Sequence, residues 1–369
     1  MLIGVLKEIN DNRVSLVPQD VKNLTEKGFK VVIEEDAGKK AGFDNQDYIN
    51  SGADIKSRKE VLQADIILSI NRFPEILKSN SFYIGMSDPY DEQWIKNFVE
   101  NRINYIALEL IPRISRAQSM DVLSSMATIA GYKAVILAAN YSIKMFPLLM
   151  TAAGTVTPAK ILVIGAGVAG LQAIATSKRL GANVYAFDPR PATKEQIKSV
   201  GATPIEFSIP EIEEESGYAK EISQELLQKE QEIILPYVLD SDIIITSAAV
   251  PGKKAPLLIT QEMVDKMKNG SVIVDLVANS GGNCQLTKPD QIITYNSKII
   301  IGLTNLPSLV PFDASKLYSR NIYNLIIHLS KNTNKITPNF DDEIDKNIFA
   351  VFEGQLLNPR IKQLIEKTS

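Results

Sequence analysis

Three glycines, Gly165, Gly167 and Gly170, stand in G-x-G-x-x-G spacing inside Lys160 to Asp188, KILVIGAGVAGLQAIATSKRLGANVYAFD. In that spacing each has a separate use: the first permits a tight turn, the second lets backbone approach a pyrophosphate, and the third lets helix pack on strand. N–H groups at the start of the following helix, and its dipole, then face the phosphates. The context is the one such chemistry requires. Ile161 to Ile164 reads as a buried parallel strand, a helical pattern runs to Leu180 and stops at Gly181, and Val184 to Phe187 is a second strand ending on Asp188. A carboxylate there suits the adenosine ribose hydroxyls and repels a 2′-phosphate, which favours NAD(H) over NADP(H), with Arg190 two residues later as an opposing cation. The alternative, a glycine turn that binds nothing, leaves the terminal acid unexplained.

A second constellation lies upstream. Gln118, Asp121 and Ser124 are spaced by three, so in the first turns of one helix they would share a face and converge on one ligand. The competing reading is that Asp121 or Ser119 caps that helix. Cys284 is the one cysteine, which excludes internal disulfides and reads as a loop or core thiol. His328 is the one histidine and falls in the helical run Ile322 to Leu329, as a packed or solvent-facing side chain. No metal-ligand set is expected.

The elements that position these residues follow from length and pattern. With 369 residues, 45% hydrophobic and 22% charged, the chain suits two α/β domains with ample buried surface. A net charge of −3 without a Lys/Arg stripe gives no footprint for nucleic acid. The opening MLIGVLKEIN lacks the pattern of a signal peptide, and the apolar stretch Lys133 to Gly154 is broken by Asn140, Ser142 and Lys144, so the expectation is a soluble chain without a membrane span.

Residues 1–125 alternate strands, at Leu2 to Leu6, Lys30 to Ile33, Asp65 to Leu68, Phe82 to Ile84 and Ile103 to Ala107, with helical stretches such as Gln19 to Lys27. That rhythm predicts a parallel sheet with crossover helices. From Ser119 to about Met145 the pattern is continuously helical, weakened only by Gly131. Further strands are expected at Val163, Val184, Ile243 to Ile245, Val272 to Val274 and Ile299 to Ile301. The acidic stretch Pro210 to Gln231 reads either as a solvated helical insertion or as a mobile lid over the cofactor. A helix from Ser315 to Leu329 returns the chain to the first domain, and a loop-like tail precedes a last apolar piece, Ile348 to Phe352. The expected architecture is thus α/β, with two Rossmann-like domains, parallel sheets and the cofactor in the interdomain cleft. Residues 1–125 plus about 311–369 form the first domain, and 126–310 form the NAD(H)-binding domain, entered through a long linking helix.

The segment Pro112-Arg113-Ile114-Ser115-Arg116-Ala117-Gln118-Ser119-Met120-Asp121-Val122-Leu123-Ser124-Ser125, with Ala130-Gly131-Tyr132-Lys133-Ala134-Val135, resembles the NAD(H)-binding domain of proton-translocating NAD(P) transhydrogenases. The likeness continues through Met150 to Val156, the fingerprint, Ala192 to Gln196, Gly217-Tyr218-Ala219-Lys220-Glu221 and Pro251-Gly252-Lys253, nearly the whole chain. The wider superfamily includes alanine dehydrogenases, which share Gly4-Val5-Leu6-Lys7-Glu8 with Arg13 and Pro18.

The resemblance implies that Arg113, Asp121 and Ser124 hold the nicotinamide carboxamide or its neighbours, with Ile114 and Ser115 beside them, and that Gln118 reaches toward a second nucleotide. It also places Gly165, Gly167, Val168, Gly170, Asp188, Pro189, Arg190, Gly217 and Ala249 at NAD(H), with Tyr218 on a closing loop. NADP(H) and the proton channel would sit on partner chains, the chain being a homodimeric, cytoplasmic and peripheral component of a membrane complex. Where alanine dehydrogenases carry a substrate lysine before a proline, this chain has Asn71-Arg72-Phe73 before Pro74. Where their histidine follows the next strand, it has Tyr83-Ile84-Gly85-Met86-Ser87, and their catalytic aspartate is matched by Asn279 before Ser280-Gly281-Gly282. The acid/base set for amino-acid oxidation is missing, and Arg13 alone does not supply it. The expected activity is therefore direct hydride transfer between NADH and partner-held NADP+, which needs only positioning. An alanine dehydrogenase-like oxidoreductase and a non-enzymatic NAD(H)-binding module are the alternatives.

Overall fold

The computed structural model describes residues 1–206, 224–250, 253–331 and 333–368. The chain divides into two compact units, Met1–Met126 with Pro307–Ser369, and Ala127–Leu306.

In the first unit an eight-stranded sheet runs in the order Gln355–Leu356, Phe349–Phe352, Asn104–Ala107, Phe82–Gly85, Ile66–Leu68, Leu2–Val5, Lys30–Glu34, Asp54–Lys56. Its central strands are buried at every residue, as expected of parallel strands covered on both faces. The six strands from Asn104–Ala107 outward pair in parallel, joined by crossover segments such as helices Pro18–Glu26 and Glu92–Glu100. Phe349–Phe352 is different: it lies antiparallel to Asn104–Ala107, with a register shift between Phe349 and Val351.

The second unit holds a seven-stranded sheet in the order Thr203–Pro204, Asn183–Phe187, Lys160–Ile164, Ile243–Thr246, Val272–Asp275, Lys298–Ile301, Ile292–Tyr295. All pairs are parallel except the last. The final hairpin turns through Asn296 and Ser297, both at positive φ (44° and 62°), the backbone that a two-residue turn needs to match strand twist. Both sheets are therefore mixed at one edge rather than wholly parallel. An apolar run carries no direction, so the pattern that locates a strand says nothing of which way it runs.

The long linking helix spans Val122–Tyr141, starting three residues later than the sequence pattern suggests. It also corrects the expectation about membrane spans, since its 20 residues and mean hydropathy of 1.6 are long and apolar enough by composition to cross a membrane. Ala134, Val135 and Ala138 on this helix, however, pack with Ile161, Val163, Ala173 and Ile174 in the core of the second unit, so burial inside protein accounts for their apolarity.

Candidate dinucleotide-binding site

The strand order reverses at Lys160–Ile164, which has Asn183–Phe187 on one side and Ile243–Thr246 on the other. In open α/β sheets ligands bind beyond the carboxyl ends of strands at such a switch point. The three glycines occupy it, each under a different steric constraint. Gly165 has φ of +93°, and a Cβ there would stand 2.9 Å from the Ala248 amide, so both conformation and space require glycine. A Cβ on Gly170 would fall 1.8 Å from the Gly165 carbonyl oxygen, because helix Val168–Arg179 leaves the strand at closest approach. Gly167 has nothing within 4 Å of such a Cβ. The space before it is open, and the helix it precedes has no side-chain cap on its first N–H groups. A phosphate is an anion of the size and charge to accept from them.

Asp188 closes the adjacent strand. Its Oδ2 accepts from the Ala166 amide (2.7 Å) and its Oδ1 from the Arg190 amide (3.0 Å), while Arg190 Nε and Nη2 donate to Oδ1 and Oδ2, each at 2.9 Å. The acid is thus tied to the glycine turn and chelated by the very cation that opposes it in sequence. Val168 and Ala249 are exposed, and Pro189 is half-buried. Gly217, Tyr218, Pro251 and Gly252 lie outside the described residues, as does most of the expected acidic insertion or lid; its remainder begins helix Gln224–Asp240.

Three supports were not legible as such. Gly131, which sequence pattern marks only as a weak point of the helix, is where the linking helix meets the fingerprint: a Cβ there would come within 2.1 Å of the Ala169 carbonyl oxygen. Asp275, fully buried, accepts from the amides of Val277 (3.2 Å), Asn283 (2.8 Å) and Cys284 (3.1 Å) and from Thr287 Oγ1 (2.7 Å). Buried Asn283 in turn donates to the carbonyls of Ala248 and Pro256 and accepts from the Ala248 amide at 3.0 Å, holding the loop that contains Ala249. The available signal was an acid directly after the apolar run Val272 to Val274, where a strand ends.

The second constellation is built otherwise than helical spacing suggests. Ser115–Met120 forms a 3₁₀ turn, the chain extends at Asp121, and the α-helix starts at Val122. Gln118 therefore precedes the helix, exposed together with Arg113 and Ser115, while Ile114 is half-buried. Asp121 accepts from the Ser124 amide (2.9 Å) and from Ser124 Oγ (2.6 Å), so it does cap the helix. Asn321 and Asn324, on helix Pro311–Ser330, both donate to the Ser119 carbonyl, at 2.8 and 2.9 Å, and so hold the turn that carries Gln118.

The remaining polar residues have partners of their own. Arg13 donates to Asp11 at 2.5 Å with both side chains buried, and Asn71 bridges Asp11 and Glu8 at 3.1 Å each. His328 Nε2 lies 2.8 Å from buried Asp345 Oδ1. With Asp342 these two offer ligand atoms within 4.8 Å of one another, but Asp342 is paired with Arg116 at 2.9 Å and Asp345 Oδ2 accepts from the Asn339 amide at 2.7 Å. Cys284 is buried, which pushes its thiol up to about 11 and leaves it unreactive.

Comparison with known proteins gives the geometry its lineage. Residues 4–130 match the family description "Alanine dehydrogenase/PNT, N-terminal domain", and 134–359 match "Alanine dehydrogenase/PNT, C-terminal domain". The chain is 43% identical to NAD(P) transhydrogenase subunit alpha of Haemophilus influenzae over 97% of its own length and 72% of that protein's. In Rickettsia prowazekii the alpha subunit of NAD(P) transhydrogenase is divided, and to the first of its pieces this chain is 40% identical, over 99% of the chain and 98% of the relative. Alanine dehydrogenase 2 of Staphylococcus aureus is more distant, at 28% over 84% of the chain and 82% of the relative. Among solved structures, the transhydrogenase from Sinorhizobium meliloti superposes with a TM-score of 0.85 at 37% identity, covering 98% of this chain and 100% of that one. The chain belongs to the alanine dehydrogenase/transhydrogenase family, within the group of NAD(P) transhydrogenase alpha subunits.

Proposed function

We propose that this chain is the NAD(H)-binding subunit of a proton-translocating, Si/Re-specific NAD(P) transhydrogenase, exchanging hydride directly between NADH and NADP+ held on a partner subunit. The observation that carries the reading is the fingerprint at the switch point: three glycines, open space before Gly167, an uncapped helix start and Asp188 on the adjacent strand. These fit a dinucleotide, whose pyrophosphate would be held by the amides around Gly167 and Val168 and whose adenosine ribose by Asp188, with Pro189, Arg190 and Ala249 beside it. Gly217 and Tyr218 complete the proposed set. The bound nicotinamide supplies the hydride; the chain orients it and keeps water away.

Arg113, Ile114, Ser115, Gln118, Asp121 and Ser124 are assigned to the nicotinamide end. Gln118, exposed on a turn pinned by two asparagines, is suited to span toward a second nucleotide, while the Asp121–Ser124 pair keeps its shape. None of these is a general base poised near neutrality, and direct hydride transfer requires none. The pairing of Arg13 with Asp11 speaks against amino-acid oxidation.

A homodimer is also proposed. The hairpin Leu149–Thr151 and Gly154–Val156 is exposed at every residue, and it follows Ile143, 81% exposed, and Leu148, 52% exposed. An apolar arm of this kind is suited to cover against a second copy. The complex would be cytoplasmic and peripheral on the inner membrane through its partner subunits. The test follows hydride transfer from NADH to an NADP analogue by absorbance, with this chain alone and with a transhydrogenase NADP(H)-binding domain added. Transfer only in the mixture is expected; NADH binding without transfer in either case would sink the assignment.

A further inference from the structure

Asp188 is the acid expected to exclude a 2′-phosphate, yet its charge is matched by Arg190, which chelates both carboxylate oxygens. Taken alone, that pair is neutral. A second carboxylate stands close enough to feel Asp188: Glu230, on helix Gln224–Asp240, 1% exposed, with Oε1 unpartnered among the described residues. Its neighbour Gln231 ties the helix to the Leu257 carbonyl at 2.7 Å, which fixes the helix turn from which Glu230 projects. We propose that Glu230 is a specificity-determining residue of the NAD(H) site, supplying the net negative charge at the adenosine-ribose end that the Asp188–Arg190 pair does not.

The chemistry sets both sign and size. An ionised Glu230 makes the group of three net negative, and a neutral side chain there leaves it neutral. One unit charge acting across roughly 10 Å at an effective dielectric of about 20 changes affinity by about tenfold. Burial first, and the Asp188 charge second, push the Glu230 carboxyl up to about 7. An incoming phosphate can therefore be met by proton uptake instead, and at pH 8 that uptake limits the effect to about one decade.

The inference rests on the proposed NAD(H) site, and its test separates the two. NADH and NADPH binding to the full chain are measured by fluorescence titration at pH 8 for wild type, Glu230→Gln and Glu230→Met, a neutral side chain of similar length. The expected result is NADPH affinity rising up to about tenfold against NADH in both variants. A purely structural role would weaken the two nucleotides alike, so an unchanged ratio in either folded variant overturns the assignment while leaving the site intact. Failure of wild type to bind NADH at all would overturn the underlying reading, and this inference with it.

Discussion

Gly167 and Gly170 are three residues apart in one turn, and the structure predicts opposite consequences for the same added methyl group. In Gly170→Ala the Cβ would lie 1.8 Å from the Gly165 carbonyl oxygen, well inside any real contact, and the obstacle is backbone that cannot rotate away. Helix Val168–Arg179 must then withdraw from the strand, at an overpacking cost of about 3 kcal/mol or more, from which the better helix propensity of alanine recovers about 1 kcal/mol. A net loss of about 2–3 kcal/mol corresponds to a Tm roughly 5–10 °C lower for a unit of this size. In Gly167→Ala the Cβ meets nothing within 4 Å, and the backbone, at φ −75° and ψ −171°, is one alanine adopts freely. Its stability should be unchanged or about 0.5 kcal/mol higher through the unfolded chain. The methyl group would, however, occupy the space proposed for the pyrophosphate, and NADH affinity should fall by about tenfold or more, equivalent to about 1.4 kcal/mol. Thermal melts without nucleotide, paired with fluorescence titrations of NADH, measure both effects on the same preparations. Wild-type NADH affinity in Gly167→Ala would refute the placement of the phosphates, and wild-type stability in Gly170→Ala would refute the close packing of helix on strand.

Gln118→Asn should slow hydride transfer in the presence of the NADP(H)-binding partner with little change in NADH affinity, since the shortened side chain loses reach but not fold; equal losses in rate and binding would count against a positional role. Asp275→Asn turns an acceptor of several hydrogen bonds into a side chain that also donates toward buried N–H groups, so a loss of about 3 kcal/mol in chemical denaturation is expected, and a near-neutral result would show that the loop is held otherwise. Burial pushes the Glu109 carboxyl up to about 7, and its Oε2 is buried without a partner among the described residues. Because the folded value is raised, its contribution to stability is greatest below the ordinary carboxylate value and is lost as pH rises toward and past 7. Glu109→Gln should thus be about 2–3 kcal/mol more stable than wild type at pH 8 and lose that advantage by pH 4.5, as read from the difference in unfolding free energy between the two proteins at each pH. A difference that does not vary with pH would exclude this carboxyl as its source.

Much of this protein was determined by local sequence. The apolar runs at Ile161, Val184, Ile243 and Val272 are strands because a continuous buried run of that length, bounded by turn residues, has few other uses, and the glycine spacing at Gly165, Gly167 and Gly170 set the turn that follows. The acid at Asp188 and the long helix before the fingerprint were equally visible, since each depends on residues only a few positions apart. What only the tertiary structure decided depends on partners far along the chain. Phe349–Phe352 runs antiparallel against Asn104–Ala107, an edge that no local pattern specifies. The helical spacing of Gln118, Asp121 and Ser124 gave way to a 3₁₀ turn pinned by Asn321 and Asn324, about two hundred residues later, because two side-chain amides donating to the Ser119 carbonyl hold the turn outside the α-helix. Gly131 reads in sequence as a flaw in a helix, and only the approach of the Ala169 carbonyl oxygen shows that nothing larger fits. The charge at the ribose end follows the same rule: Asp188 and Arg190 are two residues apart, but whether their pair is neutral or negative in effect depends on Glu230, which the fold brings up from a different helix. Periodicity is a property of neighbours in sequence, whereas charge balance, steric closeness and strand direction are properties of neighbours in space.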